Sequence, residues 1–232
     1  MRSSQPSGAA PATPPVDRRY VVKRTDPACS RLSSPVPVHE QLAFLNEASR
    51  RIGTTLDIAE TARELVDLAV PRFADWAAVS IREPLLRDGE LPHQATDGSA
   101  VVRRVAAAVA GARADDYRAA WPLDEVTTYP AWSPFARSLA TAQPTMFTAV
   151  DPDLADEIAR SRGRPVVREL LEGASLLVVP LQARGRVLGI ASFHRAPGST
   201  PFDEEDVTLG EELAARAALC VDNARLYSRE RG

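Results

Sequence analysis

Only two cysteines, Cys29 and Cys220, occur in 232 residues. They are too few for a disulfide framework or a thiolate metal cluster. Histidine is nearly as scarce, and His39, His93 and His194 show no paired ligand spacing such as His-x-x-x-His. Lys23 is the sole lysine among 28 basic residues, a bias that, with the abundant Ala and Pro, reads as high-GC codon usage. No apolar run approaches the ~20 residues of a membrane helix. The opening Met1-Arg2-Ser3-Ser4-Gln5-Pro6 lacks the apolar stretch of a secretory signal. The expectation is a soluble cytoplasmic chain with no membrane partner. Neither a Gly-x-Ser-x-Gly elbow nor a Gly-x4-Gly-Lys-Ser/Thr loop is present. We assign no catalytic residue, no metal ligand and no cofactor.

What remains is ordinary globular material, with 44% apolar and 25% charged residues, enough to build a core. Residues 1–37 hold seven of the 19 prolines, six serines and a net charge of +4. Such a stretch cannot bury enough surface to offset its ordering entropy, which predicts a disordered basic tail. Residues 38–230 form the predicted domain. From residue 38 to the end the net charge is −7, which repels phosphate backbones and argues against a nucleic-acid partner.

Val38, Leu42, Leu45, Ala48 and Ile52 make one helical stripe that Gly53 closes. Asp57 reads as the N-cap of a second helix, with Glu60 at capping-box spacing, and Pro71 stops that helix. Trp76–Ile81 reads as a strand, 83–100 as loop, and Val101–Val105 as a strand whose Ala-rich continuation equally suits a helix. Val126–Tyr129 and Thr145–Thr148 are short β-prone runs. Ser133-Pro134 and Asp151-Pro152 are each a cap followed by proline at the first helical position. Val166, Val167, Leu170 and Leu171 make a short helix closed by Gly173.

Ser175–Leu181 and Val187–Phe193 are apolar on both faces and joined by a short Gly-containing link, which predicts a central antiparallel hairpin. Pro180 predicts a bulge or an unpaired edge there. In the last helix, Val207, Gly210, Ala214, Ala217, Val221 and Ala224 follow a heptad-like seam. Leu209, Leu213, Cys220 and Tyr227 form a second stripe, which predicts a face for a twin helix and hence a homodimer. Cys220 itself reads as a small core side chain.

These elements, in the order helix–helix–strand–irregular middle–hairpin–long helix, resemble a GAF domain. The resemblance is carried by Leu45 through Asp57, by Val179-Pro180-Leu181 with Gly185-Arg186-Val187-Leu188-Gly189, and by Phe202 through Asp206 with Asn223 through Tyr227. The segments LNEASRRIGTTLD, ELVDLAVPRFADWAAVSI, VVPLQARGRVLGIASF and EELAARAALCVDNARLYSRER further resemble the sensory part of actinobacterial sporulation-type, metal-dependent serine/threonine phosphatases. The resemblance implies an α/β (α+β) fold: an antiparallel sheet of about six strands, helices on both faces, and a long C-terminal helix. It also implies a non-catalytic sensory module that binds a small molecule or a partner.

Against the cyclic-nucleotide-binding members, Phe202 and Asp206 are kept, but Val207 stands where Glu is expected and the upstream Asn-Lys is missing. Bilin attachment lacks its cysteine, and haem would depend on His93 or His194. Two distant cysteines do not suit a GAF-type methionine sulfoxide reductase. The resemblance places the aromatic middle over the sheet. Tyr129, Trp132, Phe135, Arg137, Met146 and Phe147 are the candidate ligand residues, either walling a cavity or filling it.

Overall fold

The computed structural model describes residues 38–87 and 95–231. The predicted tail 1–37 and His93 lie outside the described residues. Helices α1 (Val38–Arg51) and α2 (Ile58–Ala69) lead into strand β1 (Trp76–Arg82) and the short α3 (Glu83–Arg87). Then come β2 (Ala100–Val109), α4 (Ala114–Ala120), β3 (Val126–Tyr129), α5 (Pro134–Thr141) and β4 (Thr145–Phe147). Helices α6 (Pro152–Arg162) and α7 (Val166–Leu171), strands β5 (Ser175–Ala183) and β6 (Arg186–Arg195), and α8 (Glu204–Arg231) complete the chain. The described strands form one six-stranded sheet in the order β3-β2-β1-β6-β5-β4, and every neighbouring pair is antiparallel.

Three local signals act as expected. The Asp57 carboxylate accepts from Glu60 N at 2.8 Å, Ser133 Oγ from Ala136 N at 3.1 Å, and Asp151 Oδ1 from Leu154 N at 2.9 Å. Each satisfies one donor that a helix start leaves free. The capping box at Asp57 is only half built, because the Glu60 side chain pairs with Arg63. The hairpin turns at Arg184-Gly185, both at positive φ. Pro180 falls beyond the last β4 pair, Thr145 with Val178, and the β5–β6 register shifts between Leu181 and Gln182. An unpaired edge and a bulge therefore both occur beside this proline.

One open reading is settled and one expectation is corrected. The stretch after Val101 is strand throughout, so Ala106–Val109 extends β2 and pairs with β1. Its propensity suits a helix, but the ladder to a central strand overrides it. Residues 83–87 are helical, not loop: Pro84 sits in the first turn, where its missing N–H costs nothing, and Leu85 is buried.

Each sheet face has its own core. Ala77, Val79, Ile81, Leu177, Val179, Leu181, Leu188 and Phe193 face α1, α2 and α8. Trp76, Ala78, Val102, Leu176, Val178 and Ile190 face the layer of α4 to α7. A β-bulge between Val79 and Ser80 sets Val79 against Ala106 and Ser80 against Arg104. The extra residue, Val105, reverses the alternation along β2. Ala100 and Val102 belong to one core, and Ala106 and Ala108 to the other.

Helix α8 buries the predicted seam from Gly210 through Ala224, with Val207 half-buried. The second stripe is largely used within the chain. Leu213 is fully buried, Leu209 packs on the same core, and Cys220 lies beneath Gly53. Arg216 donates to Leu45 O at 3.1 Å, which fastens α8 to α1. Tyr227 and, outside the predicted stripes, Leu219 remain exposed. Periodicity marks an apolar face without naming the neighbour that covers it.

Candidate functional site

On the face covered by α4 to α7, the chain leaves the end of α4 at Trp121 and returns to the sheet at Val126. It then passes through Tyr129, Pro130, Trp132 and Ser133 into α5. The end of α6 lies opposite, presenting Ile158, Ser161 and Arg162. These two segments line a crevice whose free space is about 10 Å³, close to one water molecule. Tyr129 and Phe135 stack at 4.7 Å between centroids, and Trp132 stands 39% exposed at the mouth.

Three of the candidate ligand residues therefore meet: Tyr129, Trp132 and Phe135. Arg137 follows Phe135 by two residues on α5, about half a turn round the helix, and is not in the lining. Met146 and Phe147 sit on β4, at the far edge of the sheet from β3. Strand alternation turns Met146 toward the α1–α2–α8 core and Phe147 toward the other. Aromatic density in the sequence does not separate residues on one crevice wall from residues on the opposite sheet edge.

The sequence reading missed a charged cluster that reaches the crevice through Arg162. Arg104, on β2, is 2% exposed. Its guanidinium donates to Pro122 O at 3.0 Å and to Glu125 Oε2 at 3.3 Å. Arg164 reaches Glu125 Oε1 at 2.7 Å and Ala120 O at 3.2 Å. Arg162 donates to Thr127 Oγ1 at 2.6 Å and pairs closely with Glu125 Oε2. Three guanidiniums thus converge on one carboxylate. The Nε atoms of Arg104 and Arg162 are buried with no hydrogen-bond partner. Burial pushes the Glu125 carboxyl up, but the guanidiniums of Arg164 and Arg162 outweigh it and hold it below the usual range. Burial also lowers the pKa of Arg162, as expected for a cation taken out of water.

One signal in the sequence pointed here. Arg103 and Arg104 are consecutive in a strand, so they point to opposite faces, and the side against α4 to α7 must take one of them. Arg103 turns to Glu83, donating at 2.7 and 2.9 Å. Arg104 takes the inward place.

Beside this cluster is a second unusual group. His194 is 1% exposed and neither ring nitrogen has a partner. The rings of Trp76, Tyr117 and Trp121 enclose it at 4.5, 6.3 and 5.3 Å. Burial, reinforced by the charge of Arg104, lowers its pKa to about 3, so it is neutral. Burial raises Tyr117 to about 12.

Cys220 is half-buried, and burial raises its pKa, the opposite of a reactive thiol. Among the described residues no cluster of three His, Cys, Asp or Glu side chains is placed to hold a metal ion. No described helix is long and apolar enough to cross a membrane.

The GAF domain family pattern matches residues 57–221, and the chain belongs to that family. No curated protein matches it in sequence. Solved structures share the fold. The free methionine-R-sulfoxide reductase from Neisseria meningitidis, in complex with its substrate, is 15% identical with a TM-score of 0.57, over 85% of this chain and 97% of that one. The GAF domain of a phosphoenolpyruvate-protein phosphotransferase from Coxiella burnetii is 14% identical with a TM-score of 0.56, over 83% and 99%. The GAF domain/HD domain protein from Geobacter sulfurreducens is 20% identical with a TM-score of 0.51, over 74% and 95%. At these identities the likeness is one of fold. The chain is a GAF domain, a regulatory and sensory module of signalling, on an α+β scaffold.

Proposed function

We propose that this chain is a non-catalytic sensory domain that takes a small molecule in the crevice between β3, α5 and α6 and passes its occupancy to α8. The observation that carries the reading is the crevice itself. It combines stacked rings, an exposed tryptophan and the guanidinium of Arg162, through which it meets the Glu125 cluster, a combination suited to an apolar site with a few polar anchors. A physical route leads onward. Helices α6 and α7 run directly into β5, whose Ser175 hydroxyl donates to Phe147 O and accepts from Phe202 N, both at 2.9 Å. Phe202 precedes α8, so a shift of α6 and α7 pulls on the start of that helix. Such coupling is limited to the ligand's difference in affinity between the two arrangements.

The exposed Leu219 and Tyr227 support a homodimer through paired α8 helices, and the family resemblance supports a serine/threonine phosphatase domain or partner as the recipient. The reductase of Neisseria meningitidis supports the capacity of this fold for a small substrate. The small free volume favours a second reading, a structural dimerisation module whose crevice is filled by its own rings.

Native mass spectrometry of protein taken from the producing cell separates the two. A retained small-molecule mass, lost on denaturation, is expected for the sensor, and a bare chain for the filled module. Sedimentation at tens of micromolar tests the dimer, and a strict monomer contradicts the paired-helix relay.

A further inference from the structure

We infer that the ligand is a small organic carboxylate with a planar apolar body, and that Glu125 is its internal stand-in. This rests on the crevice being the ligand site proposed above.

Charge balance is the first argument. Glu125 answers three guanidiniums, of which Arg104 and Arg162 are almost wholly buried. A buried cation without a full set of partners is costly, so the cluster has unmet capacity for anions. The second argument is that this capacity is located. Arg162 lines the crevice, and its buried Nε has no partner. The third is shape. Guanidinium forks suit planar carboxylates, the chemistry they already hold. The apolar walls Tyr129, Phe135 and Trp132 suit a flat hydrocarbon body.

The crevice has only about 10 Å³ of free space. A ligand therefore enters by taking the place of Glu125 on Arg162, which frees the end of α6 to move outward. Exchange of one carboxylate for another keeps the guanidinium paired throughout. The internal carboxylate is then a competitor, and it sets a threshold on ligand concentration.

The test uses the full chain, with benzoate as the minimal probe and benzamide as its neutral isostere. Ionic strength is held constant with sodium chloride, and the readout is the fluorescence of Trp121 and Trp132. We expect a saturable response to benzoate and a response to benzamide at least about tenfold weaker, the scale of one charged hydrogen bond. Arg162→Gln is expected to weaken benzoate about tenfold and leave benzamide unchanged. Glu125→Gln is expected to strengthen benzoate severalfold by removing the competitor, whereas a purely structural Glu125 gives no gain.

The wild-type comparison stands even if a variant fails to fold. Equal binding of benzoate and benzamide overturns the carboxylate while keeping the crevice. Tighter binding of phenyl phosphate than of benzoate overturns it likewise. No response to any of the three overturns this inference, and a bare chain in native mass spectrometry overturns the crevice as a ligand site as well.

Discussion

Gly53 and Cys220 fit together only because the glycine has no side chain. A Cβ built at Gly53 would stand 2.1 Å from Cys220 Sγ, and the backbone there has φ +85°. The turn after α1 thus meets α8 at a point where two requirements coincide, a left-handed backbone and a missing methyl group. Gly53→Ala is expected to cost about 2–4 kcal/mol, combining the left-handed strain with overpacking. The clashing atom ends a side chain, so Cys220→Ala should relieve part of it. In urea denaturation, the double variant should be at least about 1 kcal/mol more stable than the sum of single effects predicts. Strict additivity would contradict the contact.

Gly189 makes the opposite case. A Cβ there would stand 2.2 Å from the backbone oxygen of Ser80, across the central β1–β6 ladder. No side chain can move aside. Gly189→Ala is expected to cost at least about 3 kcal/mol, at the upper end of overpacking effects. Truncating Ile81, whose Cδ1 lies 3.1 Å from the built Cβ, should not rescue it. Thermal unfolding of the single and double variants checks both points.

His194 gives the domain an acid sensitivity of defined sign. Its folded pKa, about 3, lies below the ordinary 6.5. The unfolded chain therefore binds the proton first as pH falls. The contribution is fully present well above pH 6.5 and is lost progressively toward pH 3. Between pH 7 and pH 5 the loss amounts to about 2 kcal/mol. Glu47, Glu83 and Glu125 are all held below the usual carboxylate range, so their losses come at lower pH. His194→Leu should abolish most of the slope between pH 7 and pH 5, measured by urea denaturation at each pH. It should cost little at pH 7, since the ring nitrogens have no partners to lose.

The caps should behave as independent units. Ser133→Ala and Asp151→Ala each remove one acceptor from a helix start and are expected to cost about 1 kcal/mol. The capped helices α5 and α6 have no cap partner in common, so the effects should add within about 0.5 kcal/mol.

Much of this fold was readable from local chemistry. The cap-plus-proline pairs at Ser133 and Asp151, the glycines at 53 and 173, and the β5–β6 hairpin each act through neighbours in the chain. What escaped depends on distant partners. Helix α4 carries Tyr117 and follows it with Trp121 one turn on, but the ring contacts that fix it come from Trp76 and His194. The three arginines around Glu125 come from β2, the end of α6 and the turn beyond it, and only the folded chain brings them together. Tyr129, Trp132 and Phe135 were legible as a group because they lie within seven residues. Met146 does not join them, and the sequence does not show this, because the face of a three-residue strand depends on its register against β5.

The central claim is that occupancy of the crevice reaches α8. Amide hydrogen exchange of the full chain, with and without saturating benzoate, tests it most directly. The account predicts altered protection both at residues 158–164 and in the first turns of α8 beyond Phe202. Altered protection confined to the crevice, with α8 unchanged, would contradict the relay.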